Sequence, residues 1–99
     1  MKLEMRSVHF KADQDLLDFI QQKVDKLETF YDRITGGEVY LRVDKNDARK
    51  NKVVEIKLFV PGGSIFAKEQ SNSFEAATDN ATEALRRQVK KHKDKQRNN

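Results

Sequence analysis

The chain contains no cysteine and no tryptophan, one proline and four glycines in 99 residues. Without cysteine there is no disulfide, no zinc–thiolate centre and no thiol nucleophile, and a reducing, cytoplasmic setting fits that lack. The scarcity of proline and glycine leaves no flexible linker or low-complexity segment, and no internal repeat is visible. Long apolar runs are missing too: nothing approaches the roughly 18 residues needed to cross a bilayer, and the opening M-K-L-E-M-R-S lacks the apolar core of a signal peptide. Histidine occurs only at His9 and His92, far from metal-ligand or triad spacing. Asp44, Asn46 and Glu55 fall at the first, third and twelfth places of a calcium loop, but Arg49 stands where that loop needs glycine, and Lys50 and Lys52 add positive charge. The glycine pairs lack the Gly-Lys-Ser/Thr of a phosphate-cradling loop. These absences argue against an enzyme, a resident metal or other cofactor, a small-molecule substrate and a membrane role.

What is present suffices for one small domain, expected to be ordered over residues 1–95 with a frayed tail at 96–99. Residues 2–7 alternate Leu3 and Met5 with Lys2, Glu4 and Arg6, the period of a half-buried strand. From a candidate N-cap at Asp13, the residues Leu16, Leu17, Ile20, Val24, Leu27, Tyr31 and Ile34 recur at three and four, predicting a first helix that ends before Gly36-Gly37. Residues 38–45 alternate Val39, Leu41 and Val43 against Tyr40, Arg42 and Asp44. A polar turn at 46–51 leads to a strand with Val54, Ile56, Leu58 and Val60 inward, and Pro61-Gly62-Gly63-Ser64 supplies the turn to a last short strand at 65–68. A long second helix covers 73–95, with Ser73 or Asn72 as its N-cap. The order β-α-β-β-β-α makes the first two strands parallel through a right-handed crossover and the remaining links hairpins. The expected fold is therefore α+β, a four-stranded mixed sheet with both helices packed on its one apolar face, similar in outline to a double-stranded-RNA-binding domain.

Charge is distributed unevenly along this scheme. Residues 86–99 hold seven Lys or Arg against one acid, a net of +6, so the remaining 85 residues carry +4 − 6 = −2. On the second helix Phe74, Ala77, Ala81, Leu85, Val89 and His92 form a narrow apolar stripe. The opposite side carries Glu75, Asp79 and Glu83 in the first half, then Arg86, Arg87, Lys90, Lys91 and Lys93 in the second. Acid before base suits the helix dipole, which asks for only one or two cations at the C-terminal end. The excess can be a solvated face, yet positive charge spans about half the helical wheel and Asp94 is the only nearby acid to offset it, a pattern matched to a polyanion such as RNA. No asparagine or glutamine is placed as in a base-reading helix, so contact with phosphates and shape is expected.

Two further features admit two readings each. Lys23 falls among Leu16, Phe19, Ile20, Leu27 and Phe30 on the first helix; it either lays its stem on apolar surface or, with Lys26 and Arg33 on the flank, extends the positive surface beside the second helix. Tyr40, Phe59 and Phe66 share the outward sheet face with Arg42, Lys57 and Lys68, as cross-strand pairs or as a stacking platform for single-stranded RNA.

K-L-E-T-F-Y-D-R-I at 26–34, the Pro61-Gly62-Gly63 hairpin, S-F-E-A-A-T-D at 73–79 and R-R-Q-V-K-K-H-K-D-K at 86–95, taken with the element order, resemble the ribosome hibernation promoting factor family, also called YfiA-like or S30EA-type ribosome-associated inhibitors. The likeness covers nearly the whole chain and is to a short form, without the C-terminal dimerisation domain of long members. It implies a non-enzymatic cytoplasmic protein, monomeric off the ribosome, that binds the 16S ribosomal RNA of the small subunit in the decoding region. There it would block messenger and transfer RNA under stress or in stationary phase. Arg87, Lys91 and Lys95 match the family's RNA-facing positions on the second helix, and Lys23 and Lys26 match basic positions on the first. The wheel adds Arg86, Lys90 and Lys93. The chain departs from the family pattern at Ala84, where relatives usually have lysine, at Ser73, where they have an aspartate cap, and at Thr78, where they have an apolar residue. The alternative reading is a free-standing double-stranded RNA-binding module. An interfacial membrane helix would need a bulkier stripe than these alanines provide.

Overall fold

The computed structural model describes residues 1–97. Strand β1 spans Leu3–Ser7, helix α1 Gln14–Asp25 and a 3₁₀ turn Lys26–Thr29. Strands β2, β3 and β4 occupy Gly36–Val43, Lys52–Val60 and Gly63–Ser71, and helix α2 runs over Phe74–Arg97. The order is the one expected, and so is the sheet: β1-β2-β3-β4, with β1 and β2 parallel and the two later pairs antiparallel. Both helix starts are capped as their sequences direct. Asp13 Oδ1 accepts from the Leu16 N–H at 2.8 Å, and Ser73 Oγ accepts from the Ala76 N–H at 3.0 Å, each satisfying a backbone donor that the first helical turn leaves open.

The first helix is shorter than its apolar periodicity suggests. It gives way at Lys26 to the 3₁₀ turn, and Tyr31 and Ile34 enter the core from the irregular segment that follows. The tighter 3₁₀ winding rotates the chain relative to an α-helix, so Leu27 stays buried while Phe30 turns outward. Nor do the paired glycines stop a helix. Gly36 and Gly37 are buried within β2, where an added Cβ on Gly37 would meet the Lys57 carbonyl oxygen at 2.5 Å and the Leu58 side chain at 2.7 Å. Their role is close strand packing. The turn into β4 is as its residues predict: Pro61 presets the first corner, and Gly62 takes the second with φ of 84°.

One continuous core lies on a single sheet face. Ile20 and Val24 of α1, Leu27, Val39 and Leu41 of β2, alternate residues of β3 and β4, and the α2 stripe from Phe74 to Val89 meet there. Val43, expected inward, is exposed because it lies two residues beyond the last β1–β2 pair, where that layer ends. Val53 is fully buried but on the outer face, between Arg42 and Gln70 of the flanking strands. The β2–β3 loop closes that corner, since Gln70 Nε2 donates to Asp44 Oδ2 at 3.2 Å and to the Lys50 carbonyl at 2.5 Å. The strand β4 is longer than its apolar residues alone indicate, because backbone pairing with β3 carries it on through Gln70 and Ser71.

Candidate nucleic-acid interface

Helix α2 packs along the edge strand β4, and the fit fixes which side of it faces water. Leu85 and Val89 are buried, and Gln88 and His92 are half-buried. Gln88 plays the part of a missing strand: its Oε1 accepts from the Phe66 N–H at 3.2 Å and its Nε2 donates to the Phe66 carbonyl at 2.7 Å. Both free groups of the edge strand are thereby satisfied at that residue. The His92 ring meets the Tyr31 ring edge-on at 5.7 Å. With this seam inward, Arg86, Arg87, Lys90, Lys91, Lys93 and Lys95 are all exposed. At about 100° per residue they sweep an arc of roughly 200°. The ion pairs among the described residues join Met1 to Asp25 and Glu28, Lys23 to Asp79, and Arg42 to Glu55; none takes up a cation of this arc.

Lys23 and Lys26 stand differently. The Lys23 ammonium lies 3.0 Å from Asp79 Oδ1 on α2 and 5.5 Å from the centre of the Phe19 ring. It does reach α2, but at the acidic half, where its charge is matched. Lys26 is exposed at the junction of α1 and the 3₁₀ turn. Arg86 and Lys93 converge on a residue that helical spacing had assigned to the apolar face of α1. The Arg86 guanidinium carbon sits 4.8 Å above the centre of the Phe30 ring, and Lys93 Nζ donates to the Phe30 carbonyl at 3.0 Å. Phe30 nevertheless stays 44% exposed. Spacing alone does not mark it, because Phe30 keeps to the apolar face until the winding changes at Lys26. Arg86 does not stand in for a lysine at position 84, because two residues along a helix are about 200° apart; Ala84 packs against the core on the other flank.

Between α2 and the segment after the 3₁₀ turn lies an open groove of about 540 Å³, walled by Phe30, Glu83, Arg86, Arg87, Lys90 and Lys93. The outward sheet face is less uniform in charge. Phe66 and Tyr40 are exposed there, but Arg42 is paired with Glu55 at 3.4 Å and Lys57 lies over Phe59 at 5.7 Å. Among the described residues no cluster of three or more His, Asp or Glu is placed to hold a metal, and no helix is long and apolar enough to cross a membrane.

The chain is thus a small mixed sheet backed by two helices, one of which ends in a broad cationic arc. The family model described as Sigma 54 modulation protein / S30EA ribosomal protein matches residues 3–97, and the chain belongs to that family, whose hibernation promoting factors are non-enzymatic binding proteins. It is 33% identical to a ribosome hibernation promoting factor of Pseudomonas putida over 97% of this chain and 90% of that one. It is 34% identical to one of Escherichia coli K12 over 96% of each. A ribosome hibernation promotion factor of Deinococcus radiodurans is 36% identical across 84% of this chain, which is only 44% of that longer protein. The fold matches a ribosomal subunit interface protein from Coxiella burnetii with a TM-score of 0.83 at 20% identity, covering 94% of this chain and 98% of that one. It also matches the N-terminal domain of Thermus thermophilus Protein Y with a TM-score of 0.81 at 24% identity, over 93% and 99%.

Proposed function

We propose that this chain is a ribosome hibernation factor that binds the 16S ribosomal RNA of the small subunit in the decoding region, as a cytoplasmic monomer. Occupying that site blocks messenger and transfer RNA and silences translation under stress or in stationary phase. The observation that carries this reading is the arc of Arg86, Arg87, Lys90, Lys91, Lys93 and Lys95, exposed and without ion-pair partners among the described residues. Such an arc repels itself and gains most where phosphates are dense and their counterions can be released. The names of the relatives supply the ribosome as the polyanion.

The test is co-sedimentation with purified small subunits. Arg87→Glu with Lys91→Glu reverses two charges in the middle of the arc and should reduce binding at least tenfold at moderate salt, with the fold intact by circular dichroism. Unchanged binding would remove α2 as the contact surface. Equally tight binding to an isolated RNA duplex would point instead to a general double-stranded RNA binder.

A further inference from the structure

The groove between α2 and residues 29–30 contains a feature that phosphate binding does not use. Phosphates need cations, and Arg87, Lys90 and Lys93 supply them. They have no use for an aromatic ring. Yet Phe30 stands in the wall of this groove with 44% of its surface in water, an arrangement that leaves a large apolar side chain unburied. The ring is also held in place. Arg86 lies over it at 4.8 Å, and Lys93 grips its backbone carbonyl at 3.0 Å. An exposed ring with an arginine beside it, rimmed by cations, supplies the parts from which proteins build a seat for an unstacked base. The open groove, of about 540 Å³, has room for one nucleotide. Glu83, the one acid in the wall, is an acceptor for a ribose hydroxyl or an exocyclic amine.

We propose that this groove receives a single unpaired nucleotide, its base against Phe30 and its phosphate among Arg87, Lys90 and Lys93. The inference rests on the reading above that α2 faces ribosomal RNA, and names what it grips there: a bulged or looped-out residue. A continuous duplex does not satisfy the ring, since its base faces are already stacked within the helix. A segment of ribosomal protein seated on Phe30 is the competing occupant, and the test separates the two.

The chain has no tryptophan, so Phe30→Trp creates a single fluorescent reporter at the site. On titration with small ribosomal subunits, the emission of bound Phe30→Trp should be strongly quenched by base stacking. Phe66→Trp, on the outer sheet face, should bind without that quenching. Phe30→Leu keeps apolar bulk but loses the ring and should weaken binding about tenfold or more, with the salt dependence unaltered. Binding of Phe30→Trp with unquenched emission overturns the proposal, and a blue shift without quenching assigns the ring to a protein contact. Full binding by Phe30→Leu also overturns it. If the parent chain itself fails to sediment with the subunits, the ribosomal reading fails first, a result distinguishable from all of these.

Discussion

Thr78 lies on the buried face of α2, fully inaccessible, and its hydroxyl finds no hydrogen-bond partner among the described residues. A buried, unsatisfied hydroxyl costs about 1–3 kcal/mol relative to one that is paired. Valine has nearly the same shape and no donor or acceptor to desolvate, so Thr78→Val should raise stability by about 1 kcal/mol, read as a higher urea midpoint with an unchanged slope. The nearby Thr82 escapes this penalty because its hydroxyl donates to the Thr78 carbonyl at 3.0 Å. At Gly37 the effect has the opposite sign. A methyl group there would press on the Lys57 carbonyl and on Leu58; backbone cannot yield as a side chain can, and Gly37→Ala should destabilise by about 1–3 kcal/mol in the same measurement. Thr78 stands at a position that the family resemblance makes apolar, so its burial was legible, but the role of Gly37 was not: a glycine pair after a helix has a commoner meaning, and only the packing distances decide against it.

Among the elements, the β2–β3 loop is ordered by its own acids. Asp47 Oδ1 accepts from the Arg49 N–H at 2.9 Å and the Lys50 N–H at 3.0 Å, and these bonds hold its carboxyl below the ordinary aspartate value of 3.8. A depressed folded pKa gives a contribution that is present above the ordinary value and is lost as pH falls through the folded one. The amide resonances of Arg49 and Lys50 should therefore shift together at a pH below 3.8, and Asp47→Asn should abolish the step. Helix α2 shows how far element-level reading reaches. Its length and its apolar stripe follow from spacing alone, because a helix buried on one side writes its period into the sequence; of the two caps the sequence leaves open, Ser73 and Asn72, the hydrogen bond from the Ala76 N–H selects Ser73. The end of α1 does not, since a change from α to 3₁₀ winding leaves the same residues in the same order and alters only which way they face. Phe30 was lost in that step, and with it one wall of the groove. Gln88 was missed for a related reason: a side chain that mimics a strand has no signature in its own segment.

At the scale of the whole molecule, the fold and the charge arrangement are two consequences of one constraint. A 99-residue chain has a single core, and α2 spends its first half closing it with Phe74, Ala77, Ala81 and Leu85. The same helix is 24 residues long, about 36 Å at the usual rise, in a molecule whose longest dimension is 46 Å. Its second half thus carries the cations along the body of the domain on a rigid rod. The architecture and most of this surface were legible because periodicity and charge segregation survive without coordinates. The pairing of Lys23 with Asp79 was not, since it depends on how two helices lie against each other. If the arc grips about five phosphates, binding to small subunits should fall with salt on a log–log plot with a slope of about −3.5 to −4.5. Replacing Arg87 and Lys91 by glutamine should make that slope shallower by about 1.5, with no change in fold. A wild-type slope near zero, or a slope unmoved by the double substitution, would contradict electrostatic binding through α2.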